Sequence, residues 1–492
     1  MRRKFITNLI FLLFLNFLIK PFWVFGIDRT VQNVVGPAEY GFYFAIFNFA
    51  FILQIILDMG ITNFNNRNIA RNNQLLSKHF SGIVLLRLTF AVFYLAIIML
   101  FGYLIGYDSR QMWLLFIIGL NQFLLTFILY LRSNISALLL FRTDSIISVL
   151  DKLFMILICS VLLWGQIPSF HFTIEWFVYA QTISYLLTAI IAFAVVVGKT
   201  NYLHFHWNLS FFRLILKKSF PYALLILLMG MYSRIDSFLI ERLLPDGDIQ
   251  AGIYASAFRL LDVANNMSGV LIAGLLLPIF ARMIKQKKEL SQMVKLPLTL
   301  LIIISATVAS ITVFYSFEIT TLLYHQHIDE TAIEYANRMS TTALVIEILM
   351  FVYIATSATY IFGTLLTANG SLKTLNIVAF GGVLLSWSLN FLLIPKYAAV
   401  GSAYAGLAAQ WGTAIIQAFL AIKVLKLKFD FQFLIKISAF MSLTFLVNYL
   451  TYSFISNPLF GITISLITIV SLAFLLKLLN LKALADILKN DE

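Results

Sequence analysis

Long apolar runs recur from one end of this chain to the other, and they constrain its fold more than any other feature. Each run holds about 20 residues, the length of helix that crosses the hydrocarbon core of a bilayer. Of the 492 residues, 61% are hydrophobic and 12% are charged, whereas about 25% are charged in soluble domains. The period-two alternation of outer-membrane strands is absent. The sequence therefore predicts an all-α polytopic membrane protein.

The apolar runs divide into about fourteen predicted spans. They are 7–27, 42–62, 81–106, 112–131, 148–165, 174–197, 220–243, 252–281, 293–316, 338–366, 375–395, 401–422, 433–453 and 458–477. The first is too long for a signal peptide and no small-x-small cleavage site follows it, so we expect it to be retained. We group the spans into an N-terminal lobe (1–219, spans 1–6), a C-terminal lobe (220–428, spans 7–12) and two additional spans with a tail (429–492).

Positive charge is distributed unevenly between the two sides of the predicted membrane. The formal net charge is +13, and 26 of the 35 Lys and Arg residues, Lys152 among them, fall in or just beside the two termini and alternate connections. Such a bias follows the positive-inside rule and predicts that both termini face the cytoplasm. It accounts for the net charge without a nucleic-acid partner.

The chain lacks the features of several function classes. It has no long soluble segment that could form the catalytic domain of a ligase or polymerase, and no Gly-x-x-x-x-Gly-Lys-Ser/Thr loop for ATP. The pairs His204/His206 and His325/His327 have no obvious third ligand, so no metal site or cofactor is predicted. A secondary transporter, a channel or a scaffold remains, and we expect no enzyme.

An internal repeat links the two halves of the chain. Asp28 and Asp236 both follow an isoleucine and lie 208 positions apart. Further along the chain, Pro37 and Pro245 occupy matching positions. Beyond the prolines, Gly41 and Gly252 open similar helices, and a third copy of the pattern begins at Pro395. Both halves run in the same topological sense, which indicates parallel repeats with a cavity between two six-helix lobes.

Charged residues inside predicted spans are the candidate functional residues, since each costs about 2.5–3.5 kcal/mol to insert. Arginine suits a phosphate group because its planar fork donates two hydrogen bonds and stays charged. We therefore predict a cationic substrate cavity formed by Arg234, Arg259, Arg87 and Arg29. The candidates for ion coupling or interhelical pairing are Asp236, Asp262, Asp58, Asp28 and Glu347, and those for a cytoplasmic gate are Arg67 and Arg71.

Two further readings of these charges concern their geometry. Arg234 and Asp236 are two apart in predicted span 7, so on a continuous helix they point in nearly opposite directions and cannot pair. Arg259 and Asp262 are three apart and can touch. The alternative to a substrate cavity is a set of interhelical salt bridges that fix the packing.

Four motifs in order resemble the polysaccharide-transporter branch of the multidrug/oligosaccharidyl-lipid/polysaccharide exporter superfamily. They are Val35-Gly-Pro-Ala-Glu-Tyr-Gly41, Asp58-Met-Gly-Ile-Thr-Asn-Phe-Asn-Asn-Arg67, Arg234-Ile-Asp236 and Pro395-Lys-Tyr-Ala-Ala-Val-Gly-Ser-Ala403. The resemblance covers essentially the whole chain. One departure is Ala398, which stands where the family pattern has glycine after the tyrosine.

The resemblance implies a flippase of the bacterial inner membrane. Its substrate would be an undecaprenyl-pyrophosphate-linked oligosaccharide for O-antigen (lipopolysaccharide), capsule or exopolysaccharide assembly. The expected mechanism is alternating access coupled to an ion gradient. It further implies a V-shaped, two-lobed fold with two additional helices. Implied partners are the lipid-linked substrate, membrane lipid, a polysaccharide polymerase and glycosyltransferases.

Two alternatives stay open within the same superfamily. A peptidoglycan lipid-precursor flippase also has fourteen spans, although its arginine-rich pattern in span 1 is not seen here. A multidrug cation antiporter would need an acidic or aromatic cavity, and the intramembrane arginines argue against it.

Overall fold

The computed structural model describes residues 14–62, 65, 69, 74–138, 140–165, 168, 170–200, 209–266, 271–286 and 289–479. Every regular element in these residues is a helix. In chain order they are α1 (Phe14–Asp58), α2 (Gln74–Ile105), α3 (Ser109–Ala137), α4 (Phe141–Trp164), α5 (Ile174–Val197), α6 (Leu209–Ser233), α7 (Asp236–Leu243), α8 (Gly247–Ala264), α9 (Leu271–Lys285), α10 (Ser291–Leu323), α11 (Ala332–Ala368), α12 (Leu372–Leu425), α13 (Phe431–Phe454) and α14 (Pro458–Leu475).

The helices are long and apolar enough for a polytopic membrane protein. Among the described residues, ten of them pass as membrane spans, and α6 with α7 forms an eleventh, bent one. α1 and α12 contain 45 and 54 residues. They are therefore about 68 and 81 Å long, more than twice the ~30 Å of the hydrocarbon core. Each covers two predicted spans, and the predicted fold class is confirmed.

The regular geometry of α1 is interrupted at three points, the last of them a turn at Leu53 and Gln54. Residues Phe22–Asp28 form a π-helical segment that ends at Asp28. Further on, Gly36 leaves helical geometry with φ 82° and ψ 168°. Pro37 explains this break, because proline disfavours the α conformation in the residue before it, and glycine adopts a positive φ without a Cβ clash. The break separates the two predicted spans that α1 covers.

α12 is interrupted in the same way, at the third copy of the repeat. Ala398 has φ 48° and ψ −130° in the middle of an otherwise continuous helix, three residues after Pro395. The family pattern places glycine at this position, and the structure supplies the reason. An alanine here occupies backbone conformations that mainly glycine adopts.

The chain divides into two compact units, Met1–Ala255 and Ser256–Glu492. In the first unit, the Trp23 and Phe177 rings stack at 5.9 Å, and Tyr43 meets Phe177 edge-on. α6 and α7 pack against α1 within this unit. The division into 1–219, 220–428 and 429–492 rests on the repeat and stays a prediction, as does the V shape.

In the second unit, α13 and α14 pack on α10. Apolar residues form a buried cluster there, comprising Ile303, Ala306, Phe440, Ile469 and Ala473. Polar side chains also link these helices. Such hydrogen bonds are expected in a membrane, because lipid is as apolar as the side chains and gives apolar helix packing little driving force. Asn448 donates to Ser310 Oγ at 3.0 Å, and the hydroxyls of Thr451 and Ser465 lie 2.6 Å apart.

Two local expectations are wrong. The predicted continuous helix 220–243 is broken between Ser233 and Asp236, where its axis turns by 46°. Predicted span 5 begins at residue 148, whereas α4 begins at Phe141. Lys152, counted above with the connections, lies in the middle of this helix. The polar first turn of α4 concealed this start from a reading of hydropathy.

Candidate functional site

Arg87, which is buried, and Asp58, which is half-buried, form an ion pair that joins α1 to α2. Only 1% of the Arg87 side chain is exposed, and its Nη2 contacts Asp58 Oδ1. Nη2 also donates to Thr62 Oγ1 at 2.5 Å, Nη1 donates to the Thr126 carbonyl at 3.2 Å, and the guanidinium lies 4.7 Å from the centre of the Tyr130 ring. These partners, from α1, the residues that follow it and α3, occupy one face and most of the donors of the Arg87 guanidinium. This geometry favours the structural alternative for both residues.

The two aspartates related by the repeat are bound in the same way. Asp28 is 2% exposed and accepts hydrogen bonds from Tyr40 Oη at 3.0 Å and Gln32 Nε2 at 3.1 Å. Asp236 is also 2% exposed and accepts from Tyr254 Oη at 2.7 Å. Each aspartate therefore accepts a hydrogen bond from a tyrosine that lies close in sequence to the repeat glycine. The repeat predicted the match between the aspartates, but it did not predict the tyrosines.

Arg234 lies at the break between α6 and α7. Its guanidinium sits over the Phe51 ring of α1 at 4.9 Å from the ring centre, and the residue is half-buried. The break removes the helical geometry on which the opposed directions of Arg234 and Asp236 were predicted. Arg234 thus presents a charge beside an aromatic face, a cation–π arrangement that tolerates a low-dielectric setting.

The other predicted site residues lie on three helices. Arg29 in α1 is half-buried, and its Nε has no hydrogen-bond partner among the described residues. Arg259 and Asp262 are half-buried, one turn apart on α8. Glu347 in α11 accepts from Ser316 Oγ of α10 at 2.5 Å. Arg67 and Arg71 lie outside the described residues, so the gate stays a prediction.

A second group of charges, absent from the predicted site, occupies the middle of α4. Lys152 Nζ lies 3.3 Å from Asp151 Oδ2 and 3.4 Å from Tyr185 Oη. The same Nζ is 5.4 Å from the centre of the Trp23 ring and 5.3 Å from that of Tyr185. The group also includes Lys20 of α1, whose ammonium interacts electrostatically with Lys152 and Asp151. Helices α1, α4 and α5 thus bring these side chains together inside the first unit.

Sequence reasoning missed this group for two reasons. Lys152 was counted with the connections for the charge balance, although it lies within predicted span 5. Lys20 lies inside predicted span 1, so the insertion cost that selected the arginines as candidates applies to this lysine as well. Its proximity to α4 is a tertiary contact that no local pattern contains.

One end of the first unit carries a polar network. Arg110 of α3 pairs with Glu39 of α1 at 2.6 Å and with Glu175 of α5 at 2.7 Å. Gln111 donates to Glu241 Oε1 of α7 at 3.2 Å. Arg110 is 48% exposed, so its ion pairs contribute little stability individually. Their joint effect is to tie four helices together at this end.

Comparison with protein families identifies the group to which these features belong. A family model described as "polysaccharide biosynthesis protein" matches residues 7–284, which is more than half of the chain. The chain belongs to the polysaccharide biosynthesis protein family. The matched range contains the Arg87–Asp58 pair, both repeat aspartates and both lysines of the α1–α4 group. No curated protein matches the sequence.

Solved structures share the fold at low sequence identity. A lipid II flippase MurJ in an inward closed conformation aligns with a TM-score of 0.67 and 17% identity, covering 95% of this chain and 97% of the other. An inward-facing multidrug resistance MATE transporter of the MOP superfamily aligns at 0.64 and 12%, covering 82% and 94%. A Pyrococcus furiosus MOP superfamily transporter, described as having a binding pocket of reverse polarity, aligns at 0.63 and 14%, covering 86% and 95%. This polysaccharide biosynthesis family member therefore has the fold of MOP superfamily transporters.

Proposed function

We propose that this protein flips undecaprenyl-pyrophosphate-linked oligosaccharide units across the bacterial inner membrane for surface polysaccharide assembly. Family membership supports a role in polysaccharide biosynthesis, and the fold supports transport without catalysis. In this proposal both termini face the cytoplasm, and the protein works beside glycosyltransferases that build the unit and a polymerase that consumes it.

The observation that carries the proposal is a set of half-buried cations on apolar helices. Arg29, Arg234 and Lys20 are half-buried within α1 or at the α6–α7 break. A lipid-linked pyrophosphate is anionic at one end and hydrocarbon at the other. Cations inside an apolar helical unit suit that combination, because they offset the phosphate charge while the surroundings accept the lipid.

The repeat aspartates supply candidate groups for coupling to an ion gradient. Asp28 and Asp236 are buried and bound by tyrosine hydroxyls, which can donate to a carboxylate and accept from a carboxylic acid. We therefore expect Asp28→Asn and Asp236→Asn to impair coupling, while they preserve the size of the side chain and its contact with the tyrosine.

Deletion of the gene tests the proposal directly. We expect lipid-linked repeat units to accumulate on the inner leaflet and surface polysaccharide to fall, as measured by lipid extraction and by staining of polysaccharide gels. Complementation with the wild-type chain should restore both. Normal surface polysaccharide in a strain without a second flippase of this kind would defeat the proposal.

A peptidoglycan lipid precursor is the second candidate substrate, favoured by the fold shared with a lipid II flippase. Viability separates the two, because a cell that loses its only peptidoglycan-precursor flippase stops growing. A deletion strain that grows with normal peptidoglycan but lacks surface polysaccharide would support the oligosaccharide substrate. A multidrug antiporter would instead change resistance to cationic drugs.

A further inference from the structure

We propose that Lys20 and Lys152 form a subsite inside the first unit that binds the diphosphate group of the lipid-linked substrate. The inference rests on the proposed function and specifies where its anionic group is held. It adds to the predicted arginines a site formed by α1, α4 and α5.

The charges of this group do not balance. Arg132 Nε pairs with Asp144 Oδ1 at 2.8 Å, and Lys152 pairs with Asp151 at 3.3 Å. Lys20 is the third cation, and the charges of Lys152, Asp151 and Arg132 all act on it. Among the described residues, Lys20 has no hydrogen bond or ion pair of its own. One ammonium is therefore uncompensated.

The position of the group makes that imbalance costly. Lys152 is the twelfth of 24 residues in α4, so it lies about 17 Å along a helix of about 36 Å, close to its middle. A charge near the middle of a membrane helix costs about 2.5–3.5 kcal/mol or more unless a partner compensates it. An anion bound between Lys20 and Lys152 would supply that compensation.

The surroundings suit a diphosphate better than a simple carboxylate. The Lys152 ammonium lies near the faces of the Trp23 and Tyr185 rings and 3.3 Å from Asp151 Oδ2. Two ammonium groups and the Tyr185 hydroxyl offer several donors to a group with many acceptor oxygens. Nearby, Asn16 donates to Ser148 Oγ at 3.3 Å, which adds neutral polar groups that join α1 to α4.

Binding by the purified full-length chain in nanodiscs tests the subsite. The probes are inorganic pyrophosphate and farnesyl diphosphate, with affinity measured by calorimetry and by the rise in melting temperature. We expect Lys20→Met to weaken binding of both by about tenfold or more, while it raises the melting temperature of the protein without probe. Lys20→Arg should retain binding.

Two further variants sharpen the test. Asp151→Asn removes the carboxylate that competes for Lys152, so binding should become tighter. Lys373→Met, on an exposed part of α12, is the matched control and should leave binding unchanged. Equal affinity in the wild type and in Lys20→Met would overturn the proposal. Displacement of both probes by phosphatidylglycerol in the nanodisc, dependent on the same lysines, would overturn the assignment to the substrate in favour of a lipid headgroup.

These outcomes are distinct from failure of the proposed function. Binding that depends on Lys20, in a chain whose deletion leaves surface polysaccharide normal, would retain a diphosphate site and remove the flippase. A deletion strain that accumulates lipid-linked units, with binding insensitive to Lys20, would retain the flippase and remove the subsite.

Discussion

Gly41 and Gly252 face each other where α1 crosses the start of α8. A Cβ on Gly41 would lie 1.9 Å from the carbonyl oxygen of Asp248 and 2.4 Å from the backbone nitrogen of Gly252, and one on Gly252 would lie 2.0 Å from the carbonyl oxygen of Pro37. The two glycines that the repeat relates therefore let two backbones meet directly. Each of the two helices therefore contributes its repeat glycine to the crossing.

Replacement of either glycine by alanine should disfavour this crossing. The new Cβ would overlap backbone atoms, which cannot rotate away, so the helices must separate. We expect Gly41→Ala and Gly252→Ala each to destabilise the protein by about 1–3 kcal/mol, measured as a lower melting temperature in detergent. Gly381→Ala is the control, since a Cβ added there would meet no neighbouring group within 4 Å.

A disulfide cross-link can report on the crossing itself. Asn48 Nδ2 donates to Ser237 Oγ at 2.8 Å, which places these two side chains of α1 and α7 in contact. The chain has one cysteine, Cys159, so a single further substitution gives a clean background. In that background, the Asn48→Cys/Ser237→Cys pair should cross-link less in Gly41→Ala than in the parent. Equal yields would show that the alanine is accommodated without separation.

Asp248, beside this crossing, should make stability depend on pH. Burial, and then the nearby Glu39 carboxylate, raise the pKa of Asp248 above its ordinary value of 3.8, and its Oδ1 has no hydrogen-bond partner among the described residues. The folded state therefore holds this proton more tightly than the unfolded state. Consequently the free energy of unfolding falls as pH rises from 3.8 through the raised pKa.

Asp248→Asn should remove that fall. We expect the variant to melt at a higher temperature than the wild type at pH 7, with a difference that shrinks toward pH 4. Asp246→Asn, at an exposed neighbouring position, should not reproduce the effect. The nearby cations Arg242 and Arg110 act in the opposite direction to burial. A variant that is less stable than the wild type at pH 7 would mean that they stabilise the Asp248 carboxylate more than burial penalises it.

Hydropathy was enough to predict the fold class, because a membrane requires each crossing helix to be about 20 apolar residues long. It could not predict the exact bounds of the helices. The first turn of α4, with Arg142 and Asp144, is polar, so the helix begins seven residues before its apolar run. The break at Arg234 was missed because neither proline nor glycine marks it in the sequence.

The candidate site was predicted only in part, for a different reason. An insertion cost identifies which charges need an explanation, but not which groups they contact. Arg87 and Asp58 are 29 residues apart, and their pairing depends on how α1 and α2 pack. The match between Asp28 and Asp236 was predictable, because the repeat is a property of the sequence. Their tyrosines come from different repeat positions and were not.

Arg87 and Asp58 provide a test of structural against substrate-binding roles. Breaking a buried ion pair leaves an uncompensated charge and costs about 3–5 kcal/mol. We therefore expect Arg87→Leu and Asp58→Leu each to lower membrane abundance and melting temperature strongly. The double variant should recover part of the loss because it removes both charges. Normal abundance of Arg87→Leu together with loss of export would instead assign Arg87 to the substrate.

Arg234 and Arg259 should behave differently from Arg87, since both are half-buried and predicted to bind substrate. We expect Arg234→Ala and Arg259→Ala to reduce export of polysaccharide while membrane abundance, measured by immunoblotting, stays unchanged. Lys373→Ala serves as a control for the loss of an exposed cation. Lower abundance in proportion to lower export would identify interhelical packing as their role.

Ala398 offers the opportunity to stabilise the protein by one substitution. A residue with a Cβ pays about 1–2 kcal/mol in a left-handed conformation, and Ala398 has φ 48°. Ala398→Gly, which restores the residue of the family pattern, should therefore raise the free energy of unfolding by about 1 kcal/mol. Ala399→Gly is the matched control: this neighbour is fully buried in regular helix, so glycine should destabilise it by about 1 kcal/mol. Melting temperatures in one detergent compare the two, and a shift of the same sign in both variants would contradict the prediction.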